Sequence, residues 1–220
     1  MSTTRPTSTR TWTADLACRS DVVLALEEVS RSYGRTVALA PLTLRLGAGT
    51  LCLVHGPNGS GKTTLLRLAA GMLTPTTGRR HAVGCAVYVR SGDGTRAVQS
   101  PRQAVSFAAT ASGRDGDVGL CLADVGLADV ADLPAAKLSA GQRARVTLAV
   151  MLASRPAMAC MDEPTVHLDA EGRVAAIRVI RQLVSTGAAV LVATHDPGVL
   201  SDAADARVRL RDGIVEAGPW

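Results

Sequence analysis

Eight consecutive residues, Gly56-Pro57-Asn58-Gly59-Ser60-Gly61-Lys62-Thr63, carry the clearest chemistry in the 220-residue chain. They satisfy the pattern G-x-x-x-x-G-K-S/T at every fixed position. The glycines let successive backbone N–H groups turn inward and close on phosphate oxygens. A helix starting just after them adds its positive N-terminal end. Lys62 supplies a compact charge to the β- and γ-phosphates of a nucleotide, and the Thr63 hydroxyl can ligate Mg²⁺. The only lysines in the chain are Lys62 and Lys137. A planar guanidinium is a poor substitute for an ammonium in such a nest, so a lysine here, in so arginine-rich a chain, is informative.

A second group lies downstream. Met158-Ala159-Cys160-Met161-Asp162-Glu163 reads as an apolar strand ending in two carboxylates. One carboxylate at a strand end can hold Mg²⁺, commonly through water, and its neighbour can polarise an attacking water. Alone this is only a strand entering a loop; downstream of a phosphate loop it is a candidate hydrolytic site.

The elements that must position these groups are legible in outline. Leu51 to His55 is a short apolar run, the pattern of a strand buried on both faces, and Thr64 to Leu73 reads as the helix after the loop. Val22 to Leu26 and the alternating Leu42 to Leu46 predict earlier strands, and Val83 to Val89 another. Helices are expected at Pro101 to Ala109, Val118 to Val125, Arg143 to Ala153 and Glu171 to Ser185, with strands at Ala157 to Met161 and Ala188 to Ala193. A hairpin closes the chain across Asp212-Gly213. Strands alternating with helices imply a parallel sheet covered on both faces.

Further motifs follow in order. Leu138-Ser139-Ala140-Gly141-Gln142 opens a helix ahead of Asp162-Glu163, Pro164-Thr165-Val166-His167-Leu168-Asp169 follows that pair, and Thr194-His195-Asp196 follows a later apolar strand. Together they resemble the signature motif, D-loop and switch-histidine loop of the ATP-binding-cassette (ABC) family, and the resemblance spans about Val22 to Glu216. It implies an α/β fold: a P-loop NTPase cassette with a mostly parallel core sheet, an N-terminal antiparallel β part and a small helical subdomain at about 92–150. It also implies ATP and Mg²⁺ as ligands. Glu163 would orient water, His195 would contact the γ-phosphate, and Lys62 would complete the catalytic set. ATP would be held by residues 56–63, by Thr64 and by Tyr33, the aromatic matching the family's adenine platform. Mg²⁺ would fall to Thr63 and Asp162. Ser139, Ala140, Gly141 and Gln142 would cap the ATP of a second cassette, in a homodimer or with a different cassette, docked on transmembrane permease subunits that are separate chains. The segment around Lys137, Ala-Asp-Leu-Pro-Ala-Ala-Lys-Leu-Ser-Ala-Gly-Gln-Arg, is similar to the ATP-binding subunit of cytochrome-c-biogenesis haem exporters.

Ala140 stands where Gly is commoner in the signature motif, and two further places depart from the family pattern. Family members carry a Gln after the strand that here reads Ala86-Val87-Tyr88-Val89; Arg90-Ser91-Gly92-Asp93 follows instead, leaving Gln99 or Gln103 as substitutes. The D-loop holds Val166-His167 where Ser-Ala is usual.

Composition bounds the rest. Hydrophobic residues make up 47% and aromatics 2%, so the core must be aliphatic. The net charge of +5 comes from scattered arginines without aromatic interleaving, which argues against nucleic acid as partner. Five dispersed cysteines, with no C-x-x-C pair, fit a reducing compartment, and Cys52 and Cys160 read as inert core thiols. No apolar stretch is long enough to cross a bilayer, and no apolar segment follows the N-terminal arginines. The expected organisation is a disordered tail at 1–20 and a single nucleotide-binding domain at 21–217, lying peripherally on the cytoplasmic face of the cell membrane. The main functional expectation is a transport ATPase; the alternatives are a soluble non-transport ABC ATPase or a weakly hydrolysing regulator.

Overall fold

The computed structural model describes residues 12–16, 21–92, 95–113, 117–196, 198 and 200–216. Two sheets share the work. β2 (Val22–Tyr33) and β3 (Thr36–Gly47) form a long antiparallel hairpin, with β5 (Thr77–Ala82) antiparallel on the other edge of β2 and β1 (Trp12–Leu16) parallel to β3. The second sheet has the order β10-β9-β4-β8-β7-β6. In it β4 (Leu51–His55), β8 (Ala189–Thr194), β7 (Met158–Asp162), β6 (Ala86–Arg90) and β9 (Ala206–Arg211) run parallel, and β10 (Ile214–Glu216) returns antiparallel.

The parallel strands are apolar throughout because both faces are covered. Leu51, Leu53, Ala159, Met161, Val190 and Val192 pack on one face against α2 (Pro101–Ala111), α4 (Ala140–Ser154) and α5 (Ala170–Ser185), with α3 (Val118–Ala123) in the same layer. Their alternates, including Cys52, Val54, Cys160 and Leu191, turn to the other face. There they meet Leu65, Leu66 and Leu68 of α1 (Lys62–Ala69) and the leucine stripe of β3. Period-two alternation thus divides one sheet between two aliphatic cores. Burial raises the thiols of Cys52, aided by the charge of Asp205, and of Cys160 to about 12, so neither is a nucleophile at neutral pH. Among the described residues no helix is long and apolar enough to cross a membrane.

Three expectations are corrected. The tail expected at 1–20 contains β1: Trp12-Thr13-Ala14-Asp15-Leu16 alternates apolar with polar, pairs in register with Leu42–Leu46, and carries an ion pair from Asp15 to Arg45 at 3.7 Å. The rest of that tail lies outside the described residues. The strand expected at Val83 to Val89 is broken, because Gly84 turns with φ 76 where the backbone passes close to Ala157; the paired segments are β5 and β6. Finally, α1 begins at Lys62 and stops at Ala69, short of Leu73. Gly71 N–H donates to Leu68 O, and Met72 and Leu73 N–H both return to Arg67 O, a C-terminal closure that uses the last free carbonyls.

Candidate functional site

Strand β4 delivers the chain to Gly56 at the carboxyl end of the parallel sheet, where ligands of open α/β sheets bind. The loop then turns directly into α1, whose first residue is Lys62. Gly56 has φ 149, and a Cβ there would overlap Leu210 O and approach Ser60 Oγ to 2.9 Å. Only glycine fits this crossing. Lys62 is 7% exposed and bends back over its own loop, donating from Nζ to Gly56 O at 2.7 Å and Pro57 O at 3.0 Å. These two carbonyls hold the ammonium against the loop that it follows.

The loop walls a cavity of about 320 Å³, lined by residues 58–64 together with Ala38, Arg90, Asp162 and Glu163. Asp162 ends β7 and is 3% exposed. Its Oδ2 accepts from Thr63 Oγ1 at 2.7 Å and from the Tyr88 hydroxyl at 2.9 Å. Burial, with the Asp162 charge beside it, pushes the Tyr88 phenol up, so it stays a proton donor in this bond.

Glu163 takes a left-handed backbone, φ 53, anchored by its N–H on Ala193 O at 2.9 Å. A non-glycine residue in that region costs about 1–3 kcal/mol and signals a position fixed for use. The turn directs the carboxylate to His195: Oε2 lies 2.9 Å from Nδ1 and 3.4 Å from the His195 N–H. With its proton on Nδ1, the imidazole donates to Glu163 and leaves Nε2 as the outward nitrogen.

The signature residues are placed elsewhere. Ser139 is the N-cap of α4: its Oγ accepts from Gln142 N–H at 3.1 Å, while Gln142 Oε1 accepts from Ser139 N–H at 2.9 Å. Ser139 and Ala140 are exposed, and none of the four residues lines the cavity. This end of α4 is nevertheless tied to the segment that follows Glu163. A Cβ on Gly141 would meet His167 O at 3.0 Å, and Arg145 donates to both oxygens of Asp169, the N-cap of α5, at 2.8 and 2.9 Å. Tyr33 also stands off the cavity lining; it is 49% exposed, and the Arg31 guanidinium lies 4.6 Å from its ring centroid.

The missing Gln is not replaced by Gln99 or Gln103. Gln103 is spent on a capping box with Ser100, Gln99 accepts from Arg96 N–H at 3.4 Å, and neither lines the cavity. The residue that does is Arg90. Its place at the end of an apolar strand was the available signal, together with Tyr88 two positions earlier.

The fold is shared with known proteins. The sequence profile of the ABC transporter family matches residues 39–166, more than half of the chain. The chain belongs to the ABC transporter family. The cassette is 37% identical over 183 residues to the cytochrome c biogenesis ATP-binding export protein CcmA of Rhodobacter capsulatus, covering 82% of this chain and 85% of that protein. It is 35% identical over 190 residues to the zinc import ATP-binding protein ZnuC of Cereibacter sphaeroides, covering 83% and 76%. A solved ATP-binding subunit of an ABC transporter superposes on the cassette with a TM-score of 0.77 at 20% identity, covering 89% of this chain and 88% of that one. The α/β cassette fold expected from the sequence is the fold observed, and nothing in these likenesses favours the non-transport alternatives.

Proposed function

We propose that this cassette binds and hydrolyses ATP with the residues around its phosphate loop, and that it drives transport through membrane subunits carried on separate chains. One observation carries the reading: Lys62 and Thr63, and the distant pair Asp162 and Glu163, meet around one cavity at the carboxyl end of the parallel sheet. Thr63 Oγ1 and Asp162 Oδ2, 2.7 Å apart, are the hard oxygen donors that suit Mg²⁺, which usually keeps waters and substrate phosphates as its other ligands. When bound there, the ion would neutralise charge on the β- and γ-phosphates.

The chain's own residues supply the rest. The backbone N–H groups of the loop and Lys62 orient the phosphates, which lowers the entropic barrier. Glu163 holds a water in line with the terminal phosphorus. As the water oxygen bonds to that phosphorus, the bond to the bridging oxygen breaks and its electron pair leaves on ADP. The water proton passes to Glu163, and inorganic phosphate departs. His195, positioned by Glu163, is proposed to contact the terminal phosphate through Nε2. Tyr33 is proposed to stack on adenine.

The exposed start of α4 supports a dimeric assembly in which Ser139 to Gln142 face the nucleotide of a second cassette. In this reading residues 21–217 form one nucleotide-binding domain with a helical subdomain around α2 and α3, peripheral on the cytoplasmic face of the membrane. The cargo is specified by the membrane subunits, in keeping with relatives named for export, arginine transport and zinc import.

The test is turnover by the purified chain with Mg²⁺ and ATP, alone and with its membrane partner. Lys62→Ala is expected to abolish hydrolysis, by a factor on the order of 10³. Glu163→Gln is expected to retain ATP and to accumulate as a dimer on a sizing column. A wild-type protein without turnover beside its membrane partner overturns the catalytic reading.

A further inference from the structure

We propose that Arg90 is a phosphate-contacting residue of this site, reaching the terminal phosphate of bound ATP from the wall that faces the loop. This rests on the nucleotide reading above and goes beyond it, because it assigns a second protein cation to the phosphates.

The argument begins with charge. Among the lining residues the cations are Lys62 and Arg90, and the anions are Asp162 and Glu163. Lys62 is already placed, its ammonium held by Gly56 O and Pro57 O. Among the described residues the Arg90 side chain has no hydrogen bond and no ion pair, although its backbone pairs in strand register with Asp162. The neighbouring carboxylate oxygen is already occupied, since Asp162 Oδ2 accepts from both Thr63 and Tyr88.

The backbone of Arg90 is fixed even though its side chain is exposed. It closes β6, and the next residue is pinned twice: Ser91 N–H donates to Asp162 O at 3.1 Å, and Ser91 Oγ donates to Val166 O at 2.9 Å. A guanidinium on a fixed stem, at the rim of a phosphate cavity and without a partner among the described residues, has its donors available for one oxyanion. A planar fork suits two phosphate oxygens at once, and a charge-assisted pair of this kind is about twice as strong as a neutral hydrogen bond. The two glutamines that could compete for the position are turned elsewhere.

Geometry also says which phosphate. The loop and Lys62 lie at the start of α1, whereas Arg90 stands on the β7 side with the two carboxylates. A contact from that wall falls on the end of the triphosphate where Glu163 holds water. It is therefore made with ATP, which carries the terminal phosphate, and contributes nothing to binding of ADP, which lacks it.

The experiment compares binding of adenylyl imidodiphosphate, an ATP analogue that is not turned over, with binding of ADP, by calorimetry on the full chain with Mg²⁺. Arg90→Ala is expected to weaken the analogue about tenfold or more while leaving ADP within about twofold. Arg90→Lys keeps the charge without the fork and should recover part of the loss. Equal weakening of both nucleotides, or no change in either, overturns the proposal. Lys62→Ala in the same assay separates the two claims: it should weaken both nucleotides. A wild-type chain that binds neither removes the nucleotide reading itself, and Arg90 with it.

Discussion

Two glycine-containing turns begin helices in this cassette, and they behave in opposite ways. The phosphate loop at 56–63 opens on a cavity, surrounds a lysine held by its own carbonyls, and faces two carboxylates from another strand. The signature turn at Ser139 to Gln142 opens outward and satisfies its own first N–H groups with a reciprocal cap. The first is a cavity walled by the loop together with carboxylates from another strand. The second is a finished helix end whose exposed face has no task within this chain, although Gly141, His167, Arg145 and Asp169 couple it to the turn that carries Glu163. A functional motif can therefore be recognised by its sequence and still be only a surface in the fold.

The largest test of this contrast is a matched pair of alanines. Gly56→Ala places a Cβ against Leu210 O at positive φ, where the strands β4 and β9 leave no room to retreat. It is expected to cost about 2–4 kcal/mol in denaturant unfolding and to eliminate nucleotide binding. Gly141→Ala meets His167 O at 3.0 Å and Ser139 Oγ at 3.9 Å and gains helix propensity, so the stability change should stay within about 1 kcal/mol. Comparable losses from both would mean that the signature turn is packed as tightly as the phosphate loop.

A second test asks whether the two turns serve one another across two chains. Ser139→Ala removes a cap worth about 1 kcal/mol, or roughly 2–4 °C of melting temperature in a chain of this size. If the turn completes a neighbour's site, its hydrolysis should fall by about tenfold or more, beyond anything that stability explains. Mixing Ser139→Ala protein with Lys62→Ala protein should then restore activity, because a mixed dimer has one site with an intact lysine from one chain and an intact serine from the other. Failure of the mixture to exceed both parents would break the idea of a shared site.

The sequence made the phosphate loop legible because sterics and charge leave few residues that can do that work, and the parallel strands were legible because burial on both faces forces continuous apolar runs. β1 was hidden by a threonine- and arginine-rich composition that obscured a five-residue alternation. β5, reading Thr-Gly-Arg-Arg-His-Ala, has no buried residue and is held as a strand only by its pairing with β2. Its signal is in the partner. Arg90 escaped notice for a related reason. An arginine at a strand end looks like any solvated cation until β7 places Asp162 beside it. Residue type points to a displaced glutamine, whereas position along the strand points to Arg90.

The smallest expected effect separates the two regions by pH. His55 lies directly under the phosphate loop, where burial first, then the charges of Arg209 and Arg207, hold its imidazole below the ordinary value near 6.5. The folded state therefore binds this proton less readily than the unfolded chain does. Stability should be constant above about pH 7, begin to fall as pH drops through about 6.5, and keep falling until the lowered folded value is reached. Asp169, beside the signature turn, is also lowered, but for a carboxyl that favours the charged form. The Gly172 N–H, and then Arg145, hold its carboxyl below the ordinary value of 3.8. Its contribution is complete above that value and is lost only as pH falls beneath it. Melting temperatures between pH 7.5 and 5.5, at fixed ionic strength, should thus decline in wild type and less steeply in His55→Gln, while Asp169→Asn should run parallel to wild type across the same range. A slope that His55→Gln leaves unchanged would place the acid-sensitive group outside the phosphate-loop region.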